Sequence, residues 1–257
     1  MDNKLKKLKA SILEAAFLSG EGHVPSGFSI LDILVVLYEK ILRINPKKPY
    51  DPKRDRFVLS KGHGSLGLYA VLAERGFFPK KYMKSFGQFN SILGGHPDSL
   101  KVPGVEVSTG TLGHGFPTAV GMAMGFKIAK SQAKVYAIIG DGESNEGTVW
   151  EAALLASHHK LDNLVCIVDH NHSTDRAVSI GDMVAKFKSF DWSAISVNGH
   201  DHKKIYQAIT TAHKGKPLAI IAETVKGYGS KTMAGEPAWH HKSPTKEEYE
   251  KIIAEIS

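Results

Sequence analysis

Several features that would narrow the function of a protein are scarce or missing in this sequence. The 257 residues include one cysteine, Cys166, so a disulfide framework is excluded and a reducing compartment is expected. Cys166 lies within an apolar segment, where a small buried core residue is the expected role. No apolar run approaches the length of a membrane span, and the lysine-rich N-terminus lacks a following secretory apolar core. These features predict a cytoplasmic protein that does not act at a membrane.

The chain carries a moderate positive charge that is spread along its length. Lys and Arg total 33 against 26 Asp and Glu, which gives a formal net charge of +7. The lysines are mixed with acidic residues in helix-like segments, which favours solvated helix faces over a nucleic-acid surface. A GxGxxG turn after the first strand is missing, which argues against a nicotinamide-binding domain. The charge suits phosphorylated sugars as substrates.

Apolar strands alternate with amphipathic helices, which predicts one α/β domain over residues 1–257. Short apolar runs predict strands at 57–59, 135–139, 164–168, 192–197 and 218–223. Apolar residues at helical spacing predict helices at 3–19, 29–42, 65–75, 117–129, 148–158, 202–213 and 246–256. Ser29 and Asp201 are the expected N-caps of two of these helices.

Two glycines and three histidines outside the strands are expected to have structural rather than catalytic roles. Gly121 and Gly125, in the fourth predicted helix, are expected to permit close helix packing. Surface or capping roles are expected for His200, His202 and His213.

The segment 135–175 combines a strand, a tight turn, a helix and a second strand. The first strand stops at a Gly-Asp-Gly turn (140–142), and the second ends just before Asn171. Because parallel strands joined in this way end in one crevice, Asp141 and Asn171 are expected to lie close together. Their oxygens suit Mg²⁺ or Ca²⁺ rather than zinc, and amides at the following helix N-terminus favour an anion. The residues alone predict a divalent ion that holds a phosphate or diphosphate.

Glycine-flanked histidines recur in the loops between these elements. His23 follows the first predicted helix, and His63 follows the first strand. His96 and His114 lie in glycine-rich loops further along the chain. A structural role is less obvious at such positions, and His63 lies at a strand end, where ligands are bound, whereas His23 taken alone is interpreted as an ordinary loop residue.

These motifs together resemble a known family. The Gly-Asp-Gly turn, 28 residues and then Asn171 resemble the thiamine diphosphate signature. The segments DRFVLSKGHG, GGHPDSLKVPGVEVSTGTLGHG, AVGMAMG, GDGESNEGTVWEA and WHHKSP resemble the N-terminal, diphosphate-binding half of transketolase in order and spacing. The resemblance extends from Ala10 to Ile253 and implies a thiamine diphosphate-binding fold, with a mostly parallel central sheet and helices on both faces.

The resemblance implies a metal site and a cofactor site. Asp141, Asn171 and the backbone carbonyl of Ser173 would ligate Mg²⁺, with Ca²⁺ as an alternative. The residues implied in contacts with thiamine diphosphate are His63, Gly110, Leu112, His114, Gly142, Glu143, Asn171 and His240.

The resemblance also implies the residues that act on the substrate. His23, His96 and His240 would line the substrate channel and exchange protons near neutrality, with the choice between His240 and His241 left open. Glu146 and Glu151 match acids that link two active sites near a dimer interface. An equally open alternative is that these two are first-turn helix acids favoured by the macrodipole.

The sequence departs from the family pattern at two places. His114 stands where transketolases usually carry Gln, although histidine at this place resembles related deoxyxylulose-phosphate synthases and several split enzymes. The usual pattern after Asn171 is replaced by residues 171–176, so that Thr174 or Asp175 takes the place of an apolar residue against the thiazolium ring. This loop predicts altered contacts and an unusual donor sugar, for instance one with a modified or differently charged end.

The pyrimidine-binding domain that follows in full-length transketolases is not found in these 257 residues. The sequence therefore resembles the N-terminal subunit of a split transketolase in the pentose phosphate reactions. A C-terminal subunit would complete the site, in a heterotetramer of two plus two chains. The expected reaction is transfer of a two-carbon ketol unit between sugar phosphates. The alternatives are a deoxyxylulose-phosphate synthase-like or 2-oxo acid dehydrogenase-like subunit, or a non-catalytic remnant that binds the cofactor.

Overall fold

A five-stranded parallel sheet forms the centre of the structure, a computed structural model that describes residues 3–175 and 177–256. The strands are β1 (Arg56–Leu59), β2 (Val135–Gly140), β3 (Leu164–His170), β4 (Ser193–Asn198) and β5 (Leu218–Glu223). They lie in the order β1-β2-β3-β5-β4, and every pair is parallel. β2 and β3 are buried along their whole length, as expected for strands covered on both faces. The predicted fold class is confirmed.

Eight α-helices surround the sheet in the described residues. They are α1 (Asn3–Ser19), α2 (Val24–Val36), α3 (Ser65–Arg75), α4 (Gly115–Ile128), α5 (Gly147–His158), α6 (Met183–Ser189), α7 (His202–Ile209) and α8 (Lys246–Ile256). None of the helices in these residues is both long enough and apolar enough to cross a membrane.

The two faces of the sheet carry separate hydrophobic cores. Helices α1, α2, α3, α7 and α8 cover one face, and α4, α5 and α6 cover the other. Alternate side chains of β2 enter opposite cores, with Ile138 in the first and Ile139 in the second. Cys166 is fully buried in the second core, which confirms its predicted structural role.

The second helix begins earlier than the sequence pattern predicts. α2 starts at Val24, with Pro25 in its first turn, and continues beyond Val36 in a π-helical turn to Ile41. Proline is tolerated in a first helical turn because its missing N–H would have no partner there. Ser29 is therefore inside the helix rather than its N-cap, and its hydroxyl donates to Asp169 Oδ1 at 2.6 Å.

The packing expected at two helical glycines is not found in the described residues. A methyl group added at Gly121 or Gly125 of α4 would meet no described atom within 4 Å. Both glycines are exposed. This small-residue face of α4 is therefore not covered by another helix of the described chain.

Two histidines assigned to the surface or to caps instead contact a buried acid. Asp32 of α2 is 2% exposed, and its carboxylate lies 2.9 Å from His200 Nδ1 and 2.8 Å from His202 Nε2. His200 Nε2 accepts a hydrogen bond from the Val225 amide at 2.9 Å, so Nδ1 carries the proton that Asp32 accepts. Burial raises the pKa of Asp32, but the bonds from both histidines outweigh it and hold the pKa below its ordinary value. The prediction for His200 and His202 is wrong, whereas Asp201 caps α7 as expected.

We expect Asp32→Asn to lower the free energy of unfolding by about 1–3 kcal/mol at pH 7, because both histidines lose a charged acceptor. Since the folded pKa of Asp32 is depressed, this difference is present at neutral pH and shrinks as the pH falls through about 3.9. Denaturant unfolding at several pH values measures it. The exposed Asp191→Asn is the control. A loss of unfolding free energy in Asp32→Asn no larger than that in Asp191→Asn would contradict the role of Asp32 as acceptor for both histidines.

Candidate active site

The carboxyl ends of β2 and β3 bring Asp141 and Asn171 to one edge of the sheet. Gly140 pairs with Asp169 in the parallel register, and the Asp141 amide donates to the Asp169 carbonyl at 3.2 Å. Asp141 lies one residue beyond this pair, and Asn171 lies two residues beyond it. The two side chains thus follow neighbouring strand ends, as the sequence pattern predicts.

Asp141 has a buried carboxylate with one oxygen that no described group of the protein satisfies, as expected of a ligand for a bound cation. One carboxylate oxygen, Oδ1, accepts a hydrogen bond from the Gly142 amide at 2.7 Å. The other, Oδ2, is buried and has no hydrogen-bond partner in the described part of the chain. Burial raises the pKa of Asp141, and Asp169 adds to the rise, against the effect of the Gly142 bond. A divalent ion at Oδ2 would satisfy this oxygen and its charge, so the site fits Mg²⁺.

A buried polar network fixes the orientation of Asn171. Its Nδ2 donates to Asp169 Oδ2 at 2.9 Å, and its Oδ1 accepts from the Ser173 amide at 3.1 Å. Asp169 is fully buried and also pairs with Lys61. Burial raises the pKa of Asp169, but Lys61 and the hydroxyl donors Ser29 and Thr224 outweigh it and keep the pKa below its ordinary value. Lys61 and Asp169 were not predicted as site residues, because their only signal in the sequence is a charge next to or within an apolar strand.

The altered loop after Asn171 places Thr174 rather than Asp175 beside the Gly-Asp-Gly turn. A Cβ built on Gly142 would lie 3.6 Å from Thr174 Cβ. Asp175 Oδ2 instead lies 2.9 Å from His172 Nδ1. Arg176, the last residue of the altered segment, lies outside the described residues. Ligation of a metal by the Ser173 carbonyl stays a prediction.

Glu143 connects three parts of the sheet edge. Its carboxylate accepts hydrogen bonds from the Ser60 hydroxyl, from the Gly113 amide at 3.0 Å and from the Gly140 amide at 3.2 Å. Burial raises the pKa of Glu143 in spite of these bonds. The side chain holds the glycine-rich loop before α4 against the ends of β1 and β2. Its contact with a cofactor stays a prediction.

Four imidazoles lie together beside this edge, although they come from distant parts of the sequence. The ring of His23 lies 5.3 Å from those of His63 and His240 and 4.5 Å from that of His241, measured between centroids. His63 and His240 are 6.1 Å apart. Gly22 has a φ of +128°, and a Cβ there would lie 2.9 Å from Leu66, so glycine is needed for the turn that directs His23 into the cluster.

The hydrogen bonds of this histidine cluster determine two tautomers. His23 Nδ1 lies 2.7 Å from the His240 carbonyl oxygen, which can only accept, so Nδ1 carries the proton and Nε2 has the lone pair. His240 Nδ1 lies 2.8 Å from the Lys226 ammonium, which can only donate, so Nδ1 accepts and Nε2 carries the proton. His23 thus offers a base, whereas His240 offers a hydrogen-bond donor.

Three imidazoles of the cluster, those of His23, His63 and His240, are held uncharged at neutral pH. Burial lowers the pKa of His23 to about 4, and the neighbouring His241, His240 and Lys226 contribute to the fall. Burial lowers the pKa of His63 far below its ordinary value. The pKa of His240 is also lowered, first by burial and then by Lys226, whose own pKa falls to about 8 through burial. The lone pair of His23 is therefore available down to about pH 4.

His96 lies on the neighbouring glycine-rich loop. Its ring packs against Gly110, where a Cβ would lie 3.4 Å from His96 Cδ2. A Cβ on Gly62 would lie only 2.9 Å from the Gly110 amide nitrogen. The backbone of the loop that carries Gly110 is therefore in close contact with the turn that carries His63. His114 precedes α4 and is exposed, with Nδ1 3.0 Å from the Leu112 carbonyl oxygen. The structure thus brings Gly110 and His96 together, and the cofactor contacts of Leu112 and His114 stay predictions.

Glu146 and Glu151 are exposed at the start of α5. Glu146 is the residue before the first helical residue, Gly147, and Glu151 is the fifth residue of the helix. Glu151 lies beyond the first turn, which argues against a macrodipole role for it, whereas Glu146 is at the N-cap, where a negative charge still faces the positive end of the helix, so that alternative stays open for Glu146. Their role at an interface stays a prediction.

A cavity of about 300 Å³ opens beside these groups. Its lining includes Asn171, Ser173, Lys226, Glu236 and His240. The edge of the sheet thus combines oxygen ligands for a hard cation, backbone amides near glycines and neutral imidazoles. Such a set can hold a metal-bound diphosphate and move protons on a neighbouring substrate.

Comparison with known proteins gives the same assignment. Residues 3–255 match the family described as the transketolase, thiamine diphosphate binding domain. The chain is 40% identical to an apulose-4-phosphate transketolase subunit of Phocaeicola vulgatus, over 98% of this chain and 92% of that protein. It is 37% identical to a 6-deoxy-6-sulfo-D-fructose transketolase subunit of Clostridium sp., over 99% of this chain and 94% of that one.

Solved transketolases share this fold over part of their length. Transketolase of Campylobacter jejuni superposes with a TM-score of 0.88 at 32% identity, over 100% of this chain and 43% of that chain. The family resemblance recognised in the sequence is thereby confirmed. The chain belongs to the transketolase family of thiamine diphosphate-binding domains.

Proposed function

We propose that this chain is the diphosphate-binding subunit of a two-chain transketolase. It would transfer a two-carbon ketol unit from a ketose phosphate to an aldose phosphate with thiamine diphosphate and Mg²⁺. The observation that carries this proposal is the position of the unsatisfied Asp141 oxygen beside Asn171, at the sheet edge that also holds the histidine cluster.

The metal and the diphosphate would be held by groups that the fold already orients. Asp141, Asn171 and the Ser173 carbonyl would supply the oxygen ligands, since the network around Asp169 fixes the Asn171 amide. The Gly142 amide and His63 would contact the diphosphate. Thiamine diphosphate, when bound, supplies the electron sink for cleavage of a carbon–carbon bond next to a carbonyl.

The histidine cluster would exchange protons with the substrate. His23 Nε2 is an acceptor and would take a proton from a substrate hydroxyl, whereas the Nε2–H of His240 would donate to a substrate oxygen. His96, on the adjacent loop, would contact the same substrate from the side of Gly110.

A sugar with an anionic end is the substrate class that the site favours. Lys226 lines the cavity next to Asn171 and carries most of its charge at pH 7, since its pKa is lowered to about 8 and not further. Two relatives are named for apulose-4-phosphate and for 6-deoxy-6-sulfo-D-fructose, both sugars with an anionic group. The altered loop at 171–175 would contribute to the choice among such sugars.

Exposed apolar surface supports a partner subunit. Phe89 is 97% exposed, Leu100 is 94% exposed, Ile128 is 76% exposed and Leu154 is 60% exposed. Large exposed apolar side chains are typical of an interface when they form a patch, as Ile128 and Leu154 can on the adjacent helices α4 and α5. The uncovered glycine face of α4 and the exposed Glu146 and Glu151 would join it. The complete enzyme would be a cytoplasmic heterotetramer of two plus two chains, in which the partner carries the pyrimidine-binding domain.

The proposal predicts ketol transfer only when this chain is mixed with a C-terminal transketolase subunit, thiamine diphosphate and Mg²⁺. A coupled assay with a panel of ketose phosphate donors and aldose phosphate acceptors measures it. Pyruvate decarboxylation without ketol transfer would favour the synthase-like or dehydrogenase-like alternative. Full activity of this chain alone would contradict the two-chain proposal.

We expect His23→Ala to lower kcat by about 10²- to 10⁴-fold with little change in thiamine diphosphate affinity, because a proton acceptor is lost but no diphosphate contact. A histidine of ordinary pKa, about 6.5, would lose the base below that pH. Because the pKa of His23 is lowered to about 4, the neutral base persists to that pH.

The pH dependence of kcat, with calorimetric cofactor titrations, measures both expectations. The exposed His159→Ala is the matched control. An acid limb near pH 6.5 that disappears in His23→Ala would contradict the assignment, and so would normal turnover of that variant.

A further inference from the structure

A second cluster of metal-binding side chains lies behind the loop that carries Asn171. His170, His172 and Glu223 each offer one ligand atom, and these three atoms lie within 4.8 Å of one another. We propose that they form a site for a divalent transition ion of the Zn²⁺ type, separate from the oxygen site at Asp141 and Asn171. This proposal does not depend on the reaction that the chain catalyses.

The separations between ligand atoms suit a tetrahedral ion. Glu223 carboxylate oxygens lie 3.1 Å from His170 Nδ1 and 3.1 Å from His172 Nε2. Zinc binds such ligands at 2.0–2.2 Å, so the edge of its tetrahedron is about 3.3 Å. The three groups therefore enclose a position that an ion could take with small side-chain shifts.

Neighbouring strands hold two of the ligands in place. His170 and Glu223 are register partners at the ends of β3 and β5, and the Thr224 amide donates to the His170 carbonyl at 3.1 Å. His170 is only 9% exposed, so its ring has little freedom. A ligand pair fixed by a parallel ladder loses little entropy when an ion binds.

Outer hydrogen bonds orient the ligands as in established zinc sites. Asp175 Oδ2 lies 2.9 Å from His172 Nδ1 and so directs Nε2 towards Glu223. This carboxylate–histidine arrangement is typical of metal ligands and sets the tautomer. The Ser196 hydroxyl donates to Glu223 Oε1 at 3.2 Å. His172 has a φ of +60°, uncommon for a residue with a side chain, and its two carboxylate partners stabilise this conformation.

The donor set selects the class of ion. Two imidazoles and one carboxylate suit zinc and neighbouring transition metals, whereas Mg²⁺ prefers oxygen ligands. A fourth position would be open to water, since His172 and Glu223 line a cavity of about 740 Å³. Because His170 and His172 flank Asn171, an ion here would restrain the loop that holds the other metal site.

The test is a Zn²⁺ titration of the full chain against a chromophoric chelator, in excess Mg²⁺ and without thiamine diphosphate. Co²⁺ absorption serves as a second readout of a four-coordinate site. We expect one ion per chain, with affinity lowered by about 10- to 100-fold in Asp175→Asn and by more in Glu223→Gln and His172→Ala. The exposed His158→Ala is the matched control and should bind as the unchanged chain does.

Two further variants separate this site from its neighbours. Asp141→Asn should bind Zn²⁺ with the affinity of the unchanged chain, because Asp141 is not a ligand of this site. This result is expected even if the proposed function is wrong. Equal Zn²⁺ affinity in the unchanged chain, Glu223→Gln and His172→Ala would overturn the proposal. Binding that is lost in His240→Ala but kept in Glu223→Gln would overturn it as well, since the ion would then occupy the histidine cluster. Circular dichroism of each variant verifies that it is folded.

Discussion

The buried ion pair between Lys61 and Asp169 is the interaction on which the rest of the candidate site depends. Both side chains are almost fully buried, and removal of two charges from water costs several kcal/mol per ion before compensation. Hydrogen bonds from Ser29 and Thr224 complete the shell of Asp169. The pair thus joins the turn after β1 to the end of β3. Asp169 Oδ2 also accepts a hydrogen bond from the Asn171 side chain and so orients it.

The ends of β2 and β3 hold several buried charged groups, and one carboxylate oxygen among them, Asp141 Oδ2, has no hydrogen-bond partner in the described residues. Asp141 lies in the field of Asp169 and is buried, so an uncompensated charge there is unfavourable. Asp141 Oδ2 has no hydrogen-bond partner among the described residues. A buried carboxylate oxygen of this kind is suited to bind a cation from outside the protein. The histidine cluster shows the converse effect, because burial and nearby positive groups lower the pKa values of His23 and His63 and so favour their neutral rings.

Local patterns were sufficient to predict the parts of the site that follow strands. The strand, Gly-Asp-Gly turn, helix and strand of residues 135–171 could be recognised because apolar runs and glycines act over a few residues. The helix predicted at 29–42 missed the start of α2, because proline is unfavourable within a helix but is tolerated in the first turn, where Pro25 lies. Partners distant in sequence give no local signal: Lys61 and Asp169, 108 residues apart, were not predicted to pair, and only the family resemblance placed His23 and His240, 217 residues apart, in one channel. Tautomers depend on such partners and require the structure.

Calorimetric titration of thiamine diphosphate into the chain, with Mg²⁺ and with a chelator in its place, shows whether Asp141 holds the cofactor through a metal ion. We expect Mg²⁺-dependent binding that is weakened in Asp141→Asn by more than the roughly 10- to 100-fold that loss of an outer-shell partner costs. The exposed Asp191→Asn should bind normally. Unchanged affinity in Asp141→Asn, or equal binding without Mg²⁺, would contradict a metal-bound diphosphate at this site.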